Sequence, residues 1–269
     1  MKEEIRQKAM ELGFDLVRFT TPELPSGPVL TLDWWIKMGL HATMEYMKRT
    51  QELRKDIRNL FPEAKTVIVT ATSYYSREAD EINKKEPKVA RYAMGTDYHI
   101  VIKRSLAALL DFIKTHFPEC HGFICVDSAP VLERAYAVKS GIGWLGKNSM
   151  VINRNLGSYF FIGILAVDIY LEPADGRVPD FCGTCRRCID GCPTSAILDN
   201  RTIDSSKCIS YWTIEAPRSQ PIPREIASQL NGWIFGCDIC QEVCPWNRFS
   251  KQTRITDFLP EQFFYLNGY

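Results

Sequence analysis

FCGTCRRCIDGCPTSAILDN, residues 181–200, places four cysteines within eleven positions and follows the last of them with proline. The run is Cys182-x2-Cys185-x2-Cys188-x3-Cys192-Pro193. In bacterial ferredoxins this spacing lets three thiolates hold one cubane cluster while the fourth reaches the other cluster of a pair. A second run, Cys237-x2-Cys240-x3-Cys244-Pro245, follows later, and Cys208 stands alone between the two. The arithmetic closes on two 4Fe-4S clusters. Cys182, Cys185, Cys188 and, crossing over, Cys244 are expected to hold the first, and Cys192, Cys208, Cys237 and Cys240 the second. Structural zinc is the competing reading of paired C-x2-C motifs. A zinc ribbon uses four ligands in two pairs and needs no trailing prolines, so the spacing selects iron–sulfur. Each proline is expected to end its ligand loop, since it cannot continue a local helical turn.

Only Cys120 and Cys125 of the ten cysteines lie outside residues 182–244. Clustered thiols in a chain without an export signal are more often metal ligands than disulfide partners. The N-terminal MKEEIRQKAMELGFD is charged and helix-like, and no stretch approaches the apolar length of a membrane span. A cytoplasmic protein without membrane contact is therefore expected. With 33 basic and 32 acidic residues, a polyanionic partner would need a local patch. Arg54, Lys55, Arg58, Lys84, Lys85, Lys88, Arg186 and Arg187 are the candidates for one.

Residues 1–170 alternate helix-like and strand-like segments. Residues 3–12 read as an amphipathic helix and FDLVRFT (14–20) as a short strand. KTVIVTATSYY (65–75) is β-branched and nearly uncharged, which suits a buried strand. YHIVIKRSLAALLDFIKTHF (98–117) has helical periodicity, and GFICVDS (122–128) and SYFFIGILAVDI (158–169) complete four strands. PVLERAYAVKSG predicts a helix with Pro130 at its first position and Gly141 past its end. The fold class is α+β, with an α/β-type first domain and a ferredoxin-like second domain carrying the clusters. EPADGRVPD (172–180) reads as the linker.

In GTDYHIV (95–101), Asp97-x-His99 opens a D-x-H-x-x-G loop of the type that presents histidine to cobalt, but Ile102 stands where glycine is needed. Asp97 is better read as a helix cap. Asp127 follows an apolar strand and precedes a helix, where pattern alone favours Asp127 or Ser128 as an N-cap. GIGWLGKN (141–148) could bring backbone close to a large flat ligand.

Taken jointly, VDSAPVLERA, GIGWLGKN, GSYFFIG, CGTCRRCIDGCPTSAI, KCISYWTIE and IFGCDICQEVCPWN resemble the epoxyqueuosine reductase family, in order, over about residues 5–250. The resemblance implies a cobalamin in domain 1–172, two 4Fe-4S clusters in domain 173–250 and an extension over 251–269. It implies reduction of epoxyqueuosine to queuosine in the anticodon region of tRNA by a monomer fed by an external donor such as a flavodoxin or ferredoxin. It places the acid at Asp127 in place of a helix cap, and cobalamin contacts at Arg54, Ala90, Asp127, Val151, Ile162, Ile209 and Asp238. No histidine lies under cobalt in that family, in keeping with Ile102. The related reductive dehalogenases, which act on small molecules, are the alternative, but they usually carry export signals. Family members typically continue past the CPWN motif with further basic segments, whereas these residues end at FLPEQFFYLNGY.

Overall fold

A computed structural model describes residues 1–173 and 176–260. The helices of the first part are α1 (Lys2–Glu11), α2 (Ser26–Lys37), α3 (Glu45–Arg49), α4 (Gln51–Lys55), α5 (Arg77–Ile82), α6 (Tyr98–His116) and α7 (Glu133–Lys139). The strands of the chain are β1 (Leu16–Thr20), β2 (Thr66–Ser73), β3 (Lys88–Val89), β4 (Gly122–Cys125), β5 (Trp144–Leu145), β6 (Val151–Ile152), β7 (Phe160–Val167) and β8 (Trp233–Phe235). The four strands expected from the apolar runs form one sheet in the order β1-β2-β7-β4. Every neighbouring pair is antiparallel, and β2 and β7 pair along their full length from Thr66↔Val167 to Ser73↔Phe160.

Antiparallel sheets usually wet one face, so the unbroken apolar runs of β2 and β7 need a reason. Both faces of this sheet are covered. Phe161, Leu165, Val167 and Ile68 face α1 and α6, while Phe160, Ile164, Ala166, Val67, Val69 and Ala71 face α7. The alternation of period two is present, but each half of it meets a different core. On the α6 side Val101, Ile102, Leu106, Leu109, Leu110 and Ile113 form the buried stripe. Gly163 lets that helix lie close, because a Cβ there would sit 2.6 Å from Thr70 Oγ1 and 2.9 Å from Ile102 Cγ2.

The cysteine-rich part consists of short helical turns, and the first part reaches into it at several points. Trp35 Nε1 donates to the Ile203 carbonyl, Thr43 Oγ1 meets the Tyr211 hydroxyl at 2.6 Å, and β3 pairs in parallel with β8. Residues 251–260 turn back onto the first part. Thr253 N donates to the Tyr75 carbonyl, Phe258 packs edge-on against Phe161, and Gly95 lies against the backbone of Asp257 and Phe258. The rest of the expected extension, 261–269, and two residues of the linker, 174–175, lie outside the described residues. Pro245 differs from its expected role: it begins a 3-10 turn, Pro245–Phe249, where its fixed φ suits a first helical position.

Candidate functional site

Asp97 caps α6 as expected, its carboxylate accepting from His99 N at 2.8 Å. The same cap turns the neighbouring side chains toward the end of β4. Tyr98 stacks on Phe161, with centroids 4.3 Å apart, and its hydroxyl donates to Asp127 Oδ2 at 2.8 Å. His99 Nδ1 lies 2.7 Å from Asp97 Oδ1, and its Nε2 lies 3.7 Å from Asp127 Oδ2.

Asp127 does not cap the following helix. That helix, α7, begins at Glu133 after an N-cap at Leu132, three residues beyond the start that Pro130 suggests. Asp127 stands in the loop before it with φ +54, a conformation uncommon for a residue with a side chain. Glu133 holds the loop: its Oε1 accepts the Asp127 N–H at 2.6 Å and the Cys125 thiol at 2.9 Å. Burial pushes the Glu133 carboxyl up to about 7. Burial and then the charge of Asp127 push the Tyr98 phenol well above its usual range, so it remains a donor. Arg54, on α4, is pulled down by burial, and the nearby carboxyls of Asp127 and Glu133 oppose that shift. Arg134, on α7, is exposed, and its Nη1 donates to the Ser149 carbonyl.

Asp127, Tyr98 and His99 line a cleft of about 680 Å³. Its other walls include Met44, Tyr92, Ile203, Ile214 and Phe235, the small residues Ala93 and Gly95, and Cys208. The size and the mixture of flat apolar walls with polar groups such as Ser205, Ser210 and Glu215 suit a large, flat cofactor with a polar rim.

The eight clustered cysteines fall into two neighbourhoods. Burial raises Cys188, and the thiols of Cys244 and Cys182 add to the effect; Cys244 in turn feels Cys182 and Cys185. Burial likewise raises Cys208, with Cys192 as its neighbour, and pushes Cys237 up to about 12, with Cys208 and Cys192 nearby. Cys240 is raised by burial and then by Cys237 and Cys208, with Asp238 and Cys192 adding to the effect. Cys188 and Cys244 thus neighbour Cys182 and Cys185, and Cys208, Cys237 and Cys240 neighbour Cys192. Their surroundings donate hydrogen bonds to sulfur: Trp144 Nε1 to Cys182 Sγ at 3.4 Å and Ala196 N to Cys192 Sγ at 3.3 Å. Burial disfavours lone thiolates and cationic iron reverses that preference, so both sets fit clusters. Among the described residues no three His, Cys, Asp or Glu side chains gather around a single metal ion.

Of the other expected cobalamin contacts, none lines this cleft directly. Ile209 lies between Cys208 and Ser210, which do, and packs with Ala90 and Trp233 in a small core. Val151 and Ile162 belong to the α7-side core. Asp238 is buried at 1% exposure and accepts from Arg91 N and Nη1, both at 2.9 Å. Arg91 also donates to Asp80 at 2.7 Å and Glu242 at 2.8 Å and lies over the Tyr159 ring. Sequence reading missed Arg91, because an arginine inside YAMG-flanked chain has no motif; its carboxylate partners come from α5 and from the second cysteine run. Tyr98, His99 and Glu133 were missed as a group because nothing in the sequence links α6 to β4. Several expected patch cations are already paired: Lys55 with Asp33 and Glu52, Arg58 with Asp56 and Glu23, Lys84 with Glu81, and Arg186 with Asp199.

Comparison with known proteins agrees with this geometry. Residues 54–128 match the family described as "Epoxyqueuosine reductase QueG, DUF1730", and residues 181–247 match "4Fe-4S double cluster binding domain". The epoxyqueuosine reductase of Cyclobacterium marinum is 44% identical over 259 residues, 95% of this chain and 82% of the relative. A crystal structure of epoxyqueuosine reductase with an epoxyqueuosine-modified tRNA-Tyr stem loop superposes with a TM-score of 0.86 at 29% identity, covering 97% of this chain and 68% of that one. The Bacillus subtilis enzyme with its catalytic aspartate loop swung out of the active site gives 0.85 at 29% identity, over 97% and 68% of the two chains. A reductive dehalogenase studied for B12-dependent dehalogenation shares the fold, at a TM-score of 0.55 and 16% identity, over 94% of this chain and 32% of its own. On the identity and coverage of its relatives, the chain belongs to the epoxyqueuosine reductase family.

Proposed function

We propose that this chain reduces epoxyqueuosine to queuosine in the anticodon region of tRNA, using cobalamin in the cleft and two 4Fe-4S clusters on the eight cysteines. The observation that carries the reading is that Asp127 and Cys208 line the same cleft, so an acid and a ligand of the second cluster share one cavity. Opening the epoxide to an alkene takes up two electrons and two protons and releases water. When bound, the clusters supply single electrons and cobalamin a reduced metal able to engage the substrate.

The chain's own residues supply the proton and its placement. Tyr98 donates to Asp127 Oδ2, with His99 Nε2 beyond hydrogen-bond length on the same oxygen, which leaves Oδ1 to carry the proton toward the departing oxygen. Glu133 fixes the backbone of Asp127 by accepting its N–H. In this reading residues 1–172 are the cobalamin-binding catalytic domain, 173–250 the ferredoxin-like domain and 251–269 an extension. The other contacts implied by the resemblance, Arg54, Ala90, Val151, Ile162, Ile209 and Asp238, lie behind the cleft walls, and on this reading they support the segments that meet the corrin. The protein acts in the cytoplasm as a monomer supplied by a flavodoxin- or ferredoxin-type donor; among the described residues no helix is long and apolar enough to cross a membrane. Mass spectrometry of nucleosides from epoxyqueuosine-containing tRNA, incubated anaerobically with the reconstituted protein and reductant, should show queuosine. No conversion would remove the assignment.

A further inference from the structure

The thiols of the first set lie against a surface that takes no part in the cleft. Phe181 precedes Cys182, and Trp246 follows Cys244 by two residues. Trp144, which donates to Cys182 Sγ, packs edge-on against both rings at 5.2 and 5.1 Å. Phe181 and Trp246 are 5.7 Å apart, and Phe249 extends the row 6.0 Å beyond Trp246. Phe181 and Phe249 are exposed at 36% and 46% beside a half-buried thiol set, and with Trp246 they make a contiguous apolar row.

Two cations frame the row. Arg154 lies 5.0 Å over Phe181, and Arg248 lies 4.6 Å over Phe249. Both are exposed, and among the described residues neither pairs with a carboxylate, unlike Arg58, Arg91 and Arg186. An aromatic centre within an uncompensated cationic rim attracts an acidic partner and allows close, short-lived contact. The second thiol set borders the substrate cleft through Cys208, whereas none of the row's residues lines that cleft.

We propose that Phe181, Trp246 and Phe249, rimmed by Arg154 and Arg248, form the docking surface for a small acidic one-electron carrier protein that reduces the cluster on Cys182, Cys185, Cys188 and Cys244. It rests on the reading of those cysteines as cluster ligands. Each encounter oxidises the carrier by one electron and reduces that cluster by one, and two encounters supply one turnover. RNA would also favour cations and rings, but the tRNA must reach Asp127, and the row lies with the first thiol set instead.

The test is the double variant Arg154→Glu/Arg248→Glu in the cluster-loaded protein without tRNA. Stopped-flow bleaching of the clusters is followed with reduced flavodoxin and, separately, with the methyl viologen radical. Binding of oxidised flavodoxin is measured by calorimetry. The flavodoxin-driven rate and affinity should fall tenfold or more, and the viologen-driven rate should stay within twofold. In the wild type the flavodoxin rate should drop steeply between about 50 and about 300 mM salt, and the variant should lose most of that slope. Equal losses with both reductants, an unchanged flavodoxin rate, or a loss confined to tRNA affinity would each overturn the proposal, the last marking the surface as RNA-binding. Iron and sulfide content reports separately on the cluster reading. If the double variant holds less iron than wild type, Arg154→Gln/Arg248→Gln replaces it with the same expected pattern.

Discussion

Replacing Glu133 by glutamine tests whether a buried acid holds the loop that carries Asp127. Burial, reinforced by the charge of Asp127 and opposed by the bond from Cys125, sets its carboxyl at about 7 against an ordinary 4.5. Ionisation is therefore easier in the unfolded chain than in the folded one. The stability this group contributes is complete below about pH 4.5 and is lost as the pH rises through about 7. At about 1.4 kcal/mol per pH unit, the full difference is about 3 kcal/mol, and residual solvent contact of the side chain lowers it to about 1–3 kcal/mol. In a chain of this size each kcal/mol moves the melting midpoint by about 2–4 °C. Between pH 5 and pH 8 the wild type should lose several degrees more than Glu133→Gln, measured by thermal unfolding at matched cluster content. Parallel curves for the two proteins would refute a raised Glu133. Catalysis separates the variants further. Glutamine Oε1 can still accept from Asp127 N and Cys125, so turnover should stay within about threefold. Glu133→Ala orphans both donors at a cost of about 1–3 kcal/mol, and turnover should fall about 5- to 150-fold as the loop leaves its place. The Bacillus subtilis relative, solved with its catalytic loop swung out, shows that such an alternative position exists in the family.

Asp127→Asn keeps the size of the side chain and removes the acid. Clusters and cobalamin should be retained while conversion of epoxyqueuosine tRNA, read by nucleoside mass spectrometry, drops about a hundredfold or more; undiminished conversion would leave Asp127 a loop residue only. Cys208→Ala should halve iron and acid-labile sulfide after anaerobic reconstitution, whereas stoichiometric zinc without iron in the wild type would end the cluster reading. Arg91→Met strands Asp238 as a buried, unpaired carboxylate and should cost about 3–5 kcal/mol in denaturant titration; a loss below about 1 kcal/mol would show that the hub contributes little.

The four strands of the main sheet and helices α1 and α6 were legible because their residues are locally consistent, with β-branched runs for β2 and an apolar stripe for α6, whereas the twelve-residue α2 was missed. The order β1-β2-β7-β4 was not legible either, since an unbroken apolar run says that both faces are buried and not which strand lies alongside. Asp127 shows the limit most clearly. Its place between a strand and a helix reads as a cap, but the chain needs three more residues before α7 can start, and a left-handed turn is held there by Glu133. The double-cluster domain was legible because ligand spacing is itself chemistry, and residues 181–247 match it. GSYFFIG and CPWN could be grouped as motifs without a physical link. In the structure they touch: Asn247 Oδ1 accepts from Ser158 N at 2.6 Å, and a Cβ on Gly157 would fall 2.2 Å from that oxygen.

The interleaving of the two thiol sets governs how the protein can be made. On the proposed ligand sets Cys188 shares a cluster with its neighbour Cys244, and Cys192, four positions later, shares the other with Cys237 and Cys240. A ribosome that has released everything through Cys192 has therefore offered neither cluster its full complement, and the first remains a three-thiol site until almost the whole ferredoxin-like segment has emerged. On those sets maturation becomes a late event, in which a chain stopped short of residue 237 leaves both sites unfinished and open to scavenging by zinc or to oxidation.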